Sequence, residues 1–272
     1  MARGLFKLAL ALAVFAALGV SQAQEGPAGA AAQPAAGAPE AAGAEKPAAG
    51  GEVQVSEGEG DNFIALREGK PYIHVVTGGK SIKVQRVQDP DYELKGYFAK
   101  TGRKCPPFCL VPEYADPRVQ TVGELEVFDF MENQLRDGAG ILIDARTPSW
   151  YQKGTIPGSI NVPFTVLSKP VDDPEMIETL KSFGAVQRGE VGYFTRILEE
   201  WGFLDAELKT DMWDFTGAKE LLLWCNGPAC GQSPRAIHGL LAVGYPPQKL
   251  HYYRGGMQIW QLFGLNTVLP EG

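Results

Sequence analysis

The chain has 272 residues, of which 44% are hydrophobic and 10% aromatic, enough for one well-packed domain with additional segments. It holds 25 lysine and arginine residues against 32 aspartate and glutamate residues, a formal net charge of -7. A nucleic-acid-binding protein usually carries a basic surface stripe, so this balance argues against that class. The acidic charge favours solubility and identifies no partner.

The first residues have the pattern of a secretory signal peptide. Arg3 and Lys7 supply positive charge, the apolar run LALALAVFAALGV occupies residues 8–20, and Ser21-Gln22-Ala23 offers small residues for cleavage. The run is shorter than the roughly 20 apolar residues that span a bilayer. We expect residues 1–23 to be removed on export, leaving a periplasmic or secreted protein with no stable membrane span; a retained anchor is the alternative.

The next segment, residues 24–52, consists mostly of alanine, glycine and proline with a few glutamates. It cannot bury enough apolar surface to offset the entropy lost on ordering. The composition therefore predicts a disordered linker. It precedes an N-terminal extension at residues 53–117 and a main domain at residues 118–270.

The extension carries a hairpin pattern. Two runs rich in β-branched residues, 72–76 and 81–87, flank a turn at Thr77-Gly78-Gly79-Lys80. Since an isolated hairpin is marginally stable in water, we expect it to pack on the main domain. His74 fits a strand residue better than a ligand, because no second histidine or cysteine lies nearby at metal-ligand spacing. We expect neither a metal site nor a cofactor.

The four cysteines form two local pairs in the sequence, Cys105 with Cys109 and Cys225 with Cys230. Disulfides persist in an oxidising compartment, although four cysteines allow three complete pairings. For the first pair we favour a structural disulfide that closes the CPPFC loop, which its two prolines stiffen. A redox-active pair is the alternative.

From Arg118 onwards, strand patterns alternate with helical ones. This alternation predicts an α/β fold with a mostly parallel sheet. Buried-strand runs are found at 140–144 and 220–225. Helical patterns are found at 122–135, from Asp173-Pro174-Glu175 onwards, at 191–201, and from Ser233 to about Val243, with Ser233 as N-cap and Pro234 as first helical residue.

The segment around Cys225 contains the candidate nucleophile. Residues 221–236 read LLLWCNGPACGQSPRA, a strand, a glycine-containing loop and a capped helix. Ligands of open α/β sheets bind beyond the carboxyl ends of strands, where loop N–H groups and a helix N-terminus favour an anion. A cysteine placed there has a lowered pKa and more of the nucleophilic thiolate. The alternative is a buried, inert cysteine.

Residues 118–268 resemble the rhodanese family in an ordered set of segments. They are IDAR at 143–146, GTIPGSINVP at 154–163, Trp224-Cys225, Gly244-Tyr245, and YRGG at 253–256 followed by Trp260. The resemblance implies a rhodanese-like domain with a central, mostly parallel five-stranded sheet flanked by helices, preceded by the small β-hairpin extension. It also implies a sulfurtransferase in which Cys225 is the catalytic nucleophile. That cysteine would take sulfane sulfur from thiosulfate or polysulfide, hold it as a persulfide and pass it to a thiol acceptor.

The same resemblance defines the active-site loop and its supporting residues. Asp144 and Arg146 are expected to support the site, while His238 and His251 fit packing or surface positions. The loop residues after Cys225 are Asn226, Gly227, Pro228, Ala229, Cys230, Gly231, Gln232 and Ser233.

The loop departs from the family pattern in its length and charge. The common form, C-x-x-G-x-R-[SA], is two residues shorter and has an arginine that helps bind anionic donors, where Gln232 stands here. Arg235 is a candidate substitute, or points into solvent. Rhodanese-related phosphatases need C-x5-R, which would place the arginine at Gly231, so we do not expect phosphatase activity.

Cys230 is the other departure. A thiol at this position can resolve a persulfide on Cys225 or close the site as a disulfide with it; the alternative is a cysteine that is free or paired elsewhere. Three functions therefore stay open. They are an exported sulfurtransferase or persulfide carrier, a dithiol redox protein using Cys225 and Cys230, and a non-catalytic rhodanese module that binds a partner protein.

Overall fold

The computed structural model describes residues 63–203 and 205–270, so the expected signal peptide and linker lie outside the described residues. The strands are β1 (Ile73–Thr77), β2 (Lys80–Val84), β3 (Gln120–Val122), β4 (Gly140–Asp144), β5 (Ser159–Asn161), β6 (Val186–Gln187), β7 (Trp213–Asp214), β8 (Glu220–Trp224) and β9 (Leu250–Tyr253). The α-helices are α1 (Glu124–Phe130), α2 (Pro148–Tyr151), α3 (Phe164–Leu167), α4 (Pro174–Ser182), α5 (Tyr193–Glu200), α6 (Gln232–Ala242) and α7 (Gly256–Leu262). Within the described part of the chain, no helix is long and apolar enough to cross a membrane.

A five-stranded sheet forms the centre of the domain. Its strand order is β3-β9-β8-β4-β5, and every neighbouring pair in it is parallel. The α/β fold predicted from the sequence is therefore confirmed. The register sets Asp144, Trp224 and Tyr253 side by side at the carboxyl ends of three adjacent strands, the edge at which ligands bind in such folds.

Hydrophobic layers cover both faces of this sheet, because β4 and β8 are apolar at successive positions. Leu221 and Leu223 pack with α4 and α6 in one layer. Leu222 and Trp224 point to the other face and pack with α1, α7 and the hairpin. The strand that leads to Cys225 is thus held from both sides.

The hairpin of β1 and β2 is antiparallel, and it packs on the main domain as predicted. Its turn residues Gly78 and Gly79 have φ values of 57° and 78°, which suit a two-residue hairpin turn. Asn266 fixes the hairpin from the far end of the chain: its side chain accepts a 2.9 Å hydrogen bond from the Gln85 N–H and donates a 2.8 Å bond to the Lys83 carbonyl. His74 is exposed on β1.

Two predicted helices begin elsewhere than expected. The helix predicted at 122–135 begins at Glu124, because Val122 ends β3 and the Glu126 carboxylate accepts a hydrogen bond from the Gly123 N–H at the helix start. It passes into a π-helical turn at Met131–Leu135. The helix after the loop begins at Gln232 with Gly231 as N-cap. The prediction that Ser233 is the N-cap of this helix was therefore wrong.

Candidate active site

Cys225 directly follows β8, and its side chain is 2% exposed. The four apolar residues before it, 221–224, are buried in the two core layers. The chain then forms the loop of residues 226–231 and enters α6. The sulfur is therefore fixed at the carboxyl edge of the sheet, beside the start of a helix.

Main-chain hydrogen bonds from the start of α7 hold this loop. The Met257 N–H donates to the Cys225 carbonyl at 2.9 Å, and the Gln258 N–H donates to the Asn226 carbonyl at 3.1 Å. Gly256 permits the close approach, since its φ is +53° and a Cβ there would collide with the Cys225 carbonyl. Gly227, with φ +134°, likewise leaves no room for a Cβ against Gln258. Gly256, the last residue of the YRGG segment, thus allows the loop to pack against the start of α7.

The Cys225 thiol is surrounded by hydrogen-bond partners. The Ser233 hydroxyl donates to its Sγ at 3.0 Å, and the protonated thiol donates to the Cys230 carbonyl at 3.3 Å. Burial alone would raise the pKa of Cys225. Hydrogen bonds from the Cys230 thiol and from the hydroxyl and N–H groups of Ser233 oppose this effect, and the Gly227 N–H adds another. Together they lower the pKa to about 6, so the thiolate predominates at neutral pH.

Cys230 lies next to Cys225 as a second thiol. Both cysteines are unoxidised in this structure, so the second local pair of the sequence is present as two thiols. The hydrogen bond to Cys225, followed by burial, holds the pKa of Cys230 well above its usual value. Its Sγ also lies 3.7 Å from the Gln232 side-chain oxygen.

Asp144 and Arg146 form a buried ion pair under the loop, with exposures of 0% and 1%. The guanidinium contacts both carboxylate oxygens, at 2.8 and 2.6 Å. It also donates to the Asn226 side-chain oxygen at 3.3 Å and to the Gly154 carbonyl at 2.6 Å. This pair joins the loop to the segment that precedes β5, and the carboxylate compensates the charge of Arg146.

Arg235 lies on the outer side of α6. It is exposed, donates to the Gly231 carbonyl at 3.1 Å, and places its guanidinium 4.6 Å from the Phe164 ring centre. The hydrogen bonds of the loop, and not a neighbouring cation, are the main causes of the low pKa of Cys225.

The two histidines of the main domain have partners outside the loop. His238 contacts the Ala115 carbonyl at 2.6 Å, and His251 contacts Glu220 at 3.1 Å.

Tyr252 is a buried neighbour of the site that sequence reasoning missed. Its side chain on β9 is fully buried, and its hydroxyl has no hydrogen-bond partner within the described residues. Burial raises the pKa of Tyr252 and the charge of Cys225 adds to this, while Ser233 acts in the opposite direction. The sequence gave no sign that this hydroxyl lies beside the loop, because the two are brought together only in the folded chain.

The N-terminal extension also reaches the loop. The Val111 N–H donates to the Pro228 carbonyl at 2.9 Å, and the Gln258 amide donates to the Phe98 carbonyl at 3.5 Å. Cys105 and Cys109, within this stretch, are joined by a disulfide. The sequence gave no signal for this contact, because it joins positions more than 100 residues apart.

The structure thus has a parallel five-stranded sheet whose central strand leads to a buried thiol of lowered pKa, followed by a loop and the start of a helix. This is the architecture expected from the resemblance to the rhodanese family. A family model described as "Rhodanese-like domain" matches residues 128–262. Residues 128–262 therefore form a rhodanese-like domain, which confirms the resemblance.

Solved structures with similar folds include three small proteins. A human single-domain sulfurtransferase has 19% sequence identity and a TM-score of 0.32, covering 53% of this chain and 96% of that one. A single-domain sulfurtransferase of Saccharomyces cerevisiae has 16% identity and a TM-score of 0.32, with coverages of 54% and 91%. A rhodanese-related protein of Thermoplasma volcanium has 17% identity and a TM-score of 0.31, with coverages of 55% and 98%. No curated protein matches the chain.

Proposed function

We propose that the protein is an exported rhodanese-like sulfurtransferase or persulfide carrier that moves sulfane sulfur through a persulfide on Cys225. The observation that carries this proposal is the reduced Cys225 thiol, fixed at the end of β8 with its pKa lowered to about 6 by hydrogen bonds of the loop. A thiolate in such a setting is a nucleophile at neutral pH.

The proposed reaction has two steps. The Cys225 thiolate attacks the outer sulfur of the donor, the donor's sulfur–sulfur bond breaks, and a persulfide remains on Cys225. With thiosulfate the leaving group is sulfite; with a polysulfide it is the shortened polysulfide. An acceptor thiolate, from a protein or a small molecule, then attacks the outer sulfur of the persulfide and releases the Cys225 thiolate. The loop donors stabilise negative charge at both stages.

Intact-mass measurement tests the proposal. The reduced protein is incubated with thiosulfate or polysulfide, and we expect a gain of one sulfur that an added thiol removes. Cys225→Ser should abolish the gain. Cys230→Ser is the matched control, since it alters a thiol of the same loop and should still gain the sulfur. No gain with any donor contradicts the proposal.

A dithiol redox protein is the second candidate, and the closeness of Cys230 to Cys225 favours it, since the Cys225 Sγ lies 3.3 Å from the Cys230 carbonyl oxygen. In that function the two thiols lose two hydrogens to an oxidant and form a disulfide. Peptide mapping after mild oxidation should then find Cys225 joined to Cys230, and a dithiol reductant should reverse the link. A protein that gains sulfur but never forms this disulfide excludes the redox function.

Export is the part of the proposal that rests on the sequence of residues 1–23. Expression of the full chain in a bacterial host should yield a protein that begins at Gln24 and is recovered with the periplasmic or secreted fraction. A protein that keeps Met1 or Ala2 as its first residue contradicts export by signal cleavage.

A further inference from the structure

In the proposed reaction, the sulfur donor and the group that it approaches are both negatively charged. Thiosulfate and polysulfides are anions, and the Cys225 group they must approach is itself a thiolate. The loop holds Gln232 where the common family pattern has its arginine. Because like charges repel across a short distance, an anionic donor needs a cation from some other part of the molecule.

Two arginines along the carboxyl edge of the sheet are compensated by carboxylates: Arg146 is ion-paired with Asp144 at 2.6 Å, and Arg254 with Glu113 at 3.6 Å. Arg235 has no carboxylate partner within the described residues, but its exposed guanidinium packs on the Phe164 ring on the outer side of α6.

The segment from Phe98 to Val111 straddles the active-site loop. At its start the Phe98 carbonyl accepts from Gln258, the residue that packs against Gly227. At its end the Val111 N–H donates to the Pro228 carbonyl. One end of the segment is thus attached to the start of α7, which holds the loop, and the other end to the loop itself.

Arg103 occupies the middle of this segment. Its guanidinium lies 4.2 Å from the Tyr97 ring centre and 5.1 Å from the Phe108 ring centre, and its Nε donates to the Lys100 carbonyl at 3.1 Å. Within residues 63–203 and 205–270, it has no carboxylate partner. Aromatic stacking therefore positions a guanidinium without neutralising it.

The Cys105–Cys109 disulfide constrains the segment that holds Arg103. Cys105 and Cys109 close a loop that includes Phe108, so the bond restricts the ring that supports one side of Arg103. The Phe108 N–H also donates to the Lys104 carbonyl at 3.1 Å.

Tyr97 connects Arg103 to the reactive thiols. Its ring lies 4.6 Å from that of Trp150, in the helix that follows Arg146. Burial raises the pKa of Tyr97, the charge and hydrogen bond of Arg103 lower it, and the charge of Cys230 raises it. The Tyr97 hydroxyl is therefore within electrostatic reach of both groups.

We propose that Arg103 binds the anionic sulfur donor at the entrance to the Cys225 loop, in place of the arginine that the loop lacks, and that the Cys105–Cys109 disulfide holds it in position. The inference rests on the proposed function for its ligand class. It gives the CPPFC loop a role in donor binding.

Two alkylating reagents of matched chemistry and different charge test the site directly. Iodoacetate is an anion and iodoacetamide is neutral, and both modify the Cys225 thiolate. Their rates are measured by intact mass under non-reducing conditions in a Cys230→Ser background, so that Cys225 is the single reactive thiol. In Arg103→Gln we expect the iodoacetate rate to fall about fivefold and the iodoacetamide rate to stay unchanged. Arg103→Lys should recover part of the difference.

Arg235→Gln is the matched control, since it removes an exposed arginine on the other flank of the loop. It should leave the ratio of the two rates unchanged. Added salt should lower the ratio of the iodoacetate rate to the iodoacetamide rate in the parent protein, and it should leave this ratio unchanged in Arg103→Gln. The double variant Cys105→Ser/Cys109→Ser should lower the iodoacetate rate alone.

An unchanged ratio in Arg103→Gln overturns the inference, and so does an equal fall in Arg235→Gln. The proposed function is tested separately, because persulfide formation is scored by the gain of sulfur on Cys225. A protein can fail that measurement and still show the charge preference, or pass it and show none.

Discussion

The thiolate of Cys225 depends on hydrogen bonds from small groups within the loop. The Ser233 hydroxyl is one of them, at 3.0 Å from the sulfur, although burial acts against the charged form. The serine was predicted to cap α6. Gly231 holds the capping position instead, which moves Ser233 into the first turn and leaves its hydroxyl for the sulfur.

We predict that Ser233→Ala raises the pKa of Cys225 by about one unit, because a hydrogen bond to the charged form is lost. The iodoacetamide rate of the parent protein should rise with pH, with a midpoint near 6, and level off above it. The variant should reach the same plateau at higher pH.

Ser182→Ala controls for the loss of a serine hydroxyl, since among the described residues this exposed side chain bonds only the Thr179 carbonyl near the end of α4. Its midpoint should equal that of the parent protein. If Ser233→Ala also keeps the parent midpoint, the hydroxyl does not set the pKa of Cys225.

At the scale of elements, the strands were the most predictable part of the fold. The run GILID forms β4, and β8 ends one residue before the predicted limit of 225, because apolar runs of this length fit a buried parallel strand. Helix starts were less predictable. Whether Gly231 or Ser233 caps α6 is decided by the contact with Cys225, which no local pattern contains.

The junction of α7 with the loop gives a prediction at this scale. Gly256→Ala should separate α7 from the loop, because a Cβ would strike the Cys225 carbonyl and the backbone is left-handed there. Left-handed strain in a non-glycine residue costs about 1–3 kcal/mol. We expect a lower free energy of unfolding in denaturant and slower persulfide formation on Cys225.

Gly189→Ala is the comparison, since a Cβ at that glycine meets no atom within 4 Å and its backbone is not left-handed. It should match the parent protein in both measurements. Parent-like values for Gly256→Ala would show that the loop does not depend on this contact.

At the scale of the whole molecule, the hairpin and the rhodanese-like domain share one hydrophobic layer. Ile73, Val75 and Val84 of the hairpin pack in the same cluster as Leu222 and Trp260. The sequence predicted that the hairpin docks, because a lone hairpin is marginal in water. It did not predict that Asn266, which lies 181 residues after Gln85 and 183 after Lys83, would bind the end of the hairpin, since such pairings are visible only in the folded chain.

This shared layer predicts one cooperative transition for the described part of the chain. Val84→Ala should lower the free energy of unfolding by about 1–3 kcal/mol and shift the whole transition, because Val84 is fully buried. Near-ultraviolet circular dichroism and the protection of amides in β8 should change together.

Val76→Ala is the control on the partner strand, since Val76 is 67% exposed. It should change the free energy of unfolding little. Protection of β8 that persists while the hairpin opens in Val84→Ala would mean that the two parts unfold separately.

Main-chain atoms attach the Cys225 loop to α7. The conformation of the loop is therefore set separately from the side chains that would select a ligand. The N–H groups of Met257 and Gln258 bind carbonyls, and they do so whatever side chains the loop carries. Under the proposed function, we expect that residues such as Ala229 and Gln232 can be exchanged to alter which sulfur compounds are accepted, while the frame around the thiol is kept. For protein engineering, this makes the domain a fixed scaffold with a replaceable recognition surface.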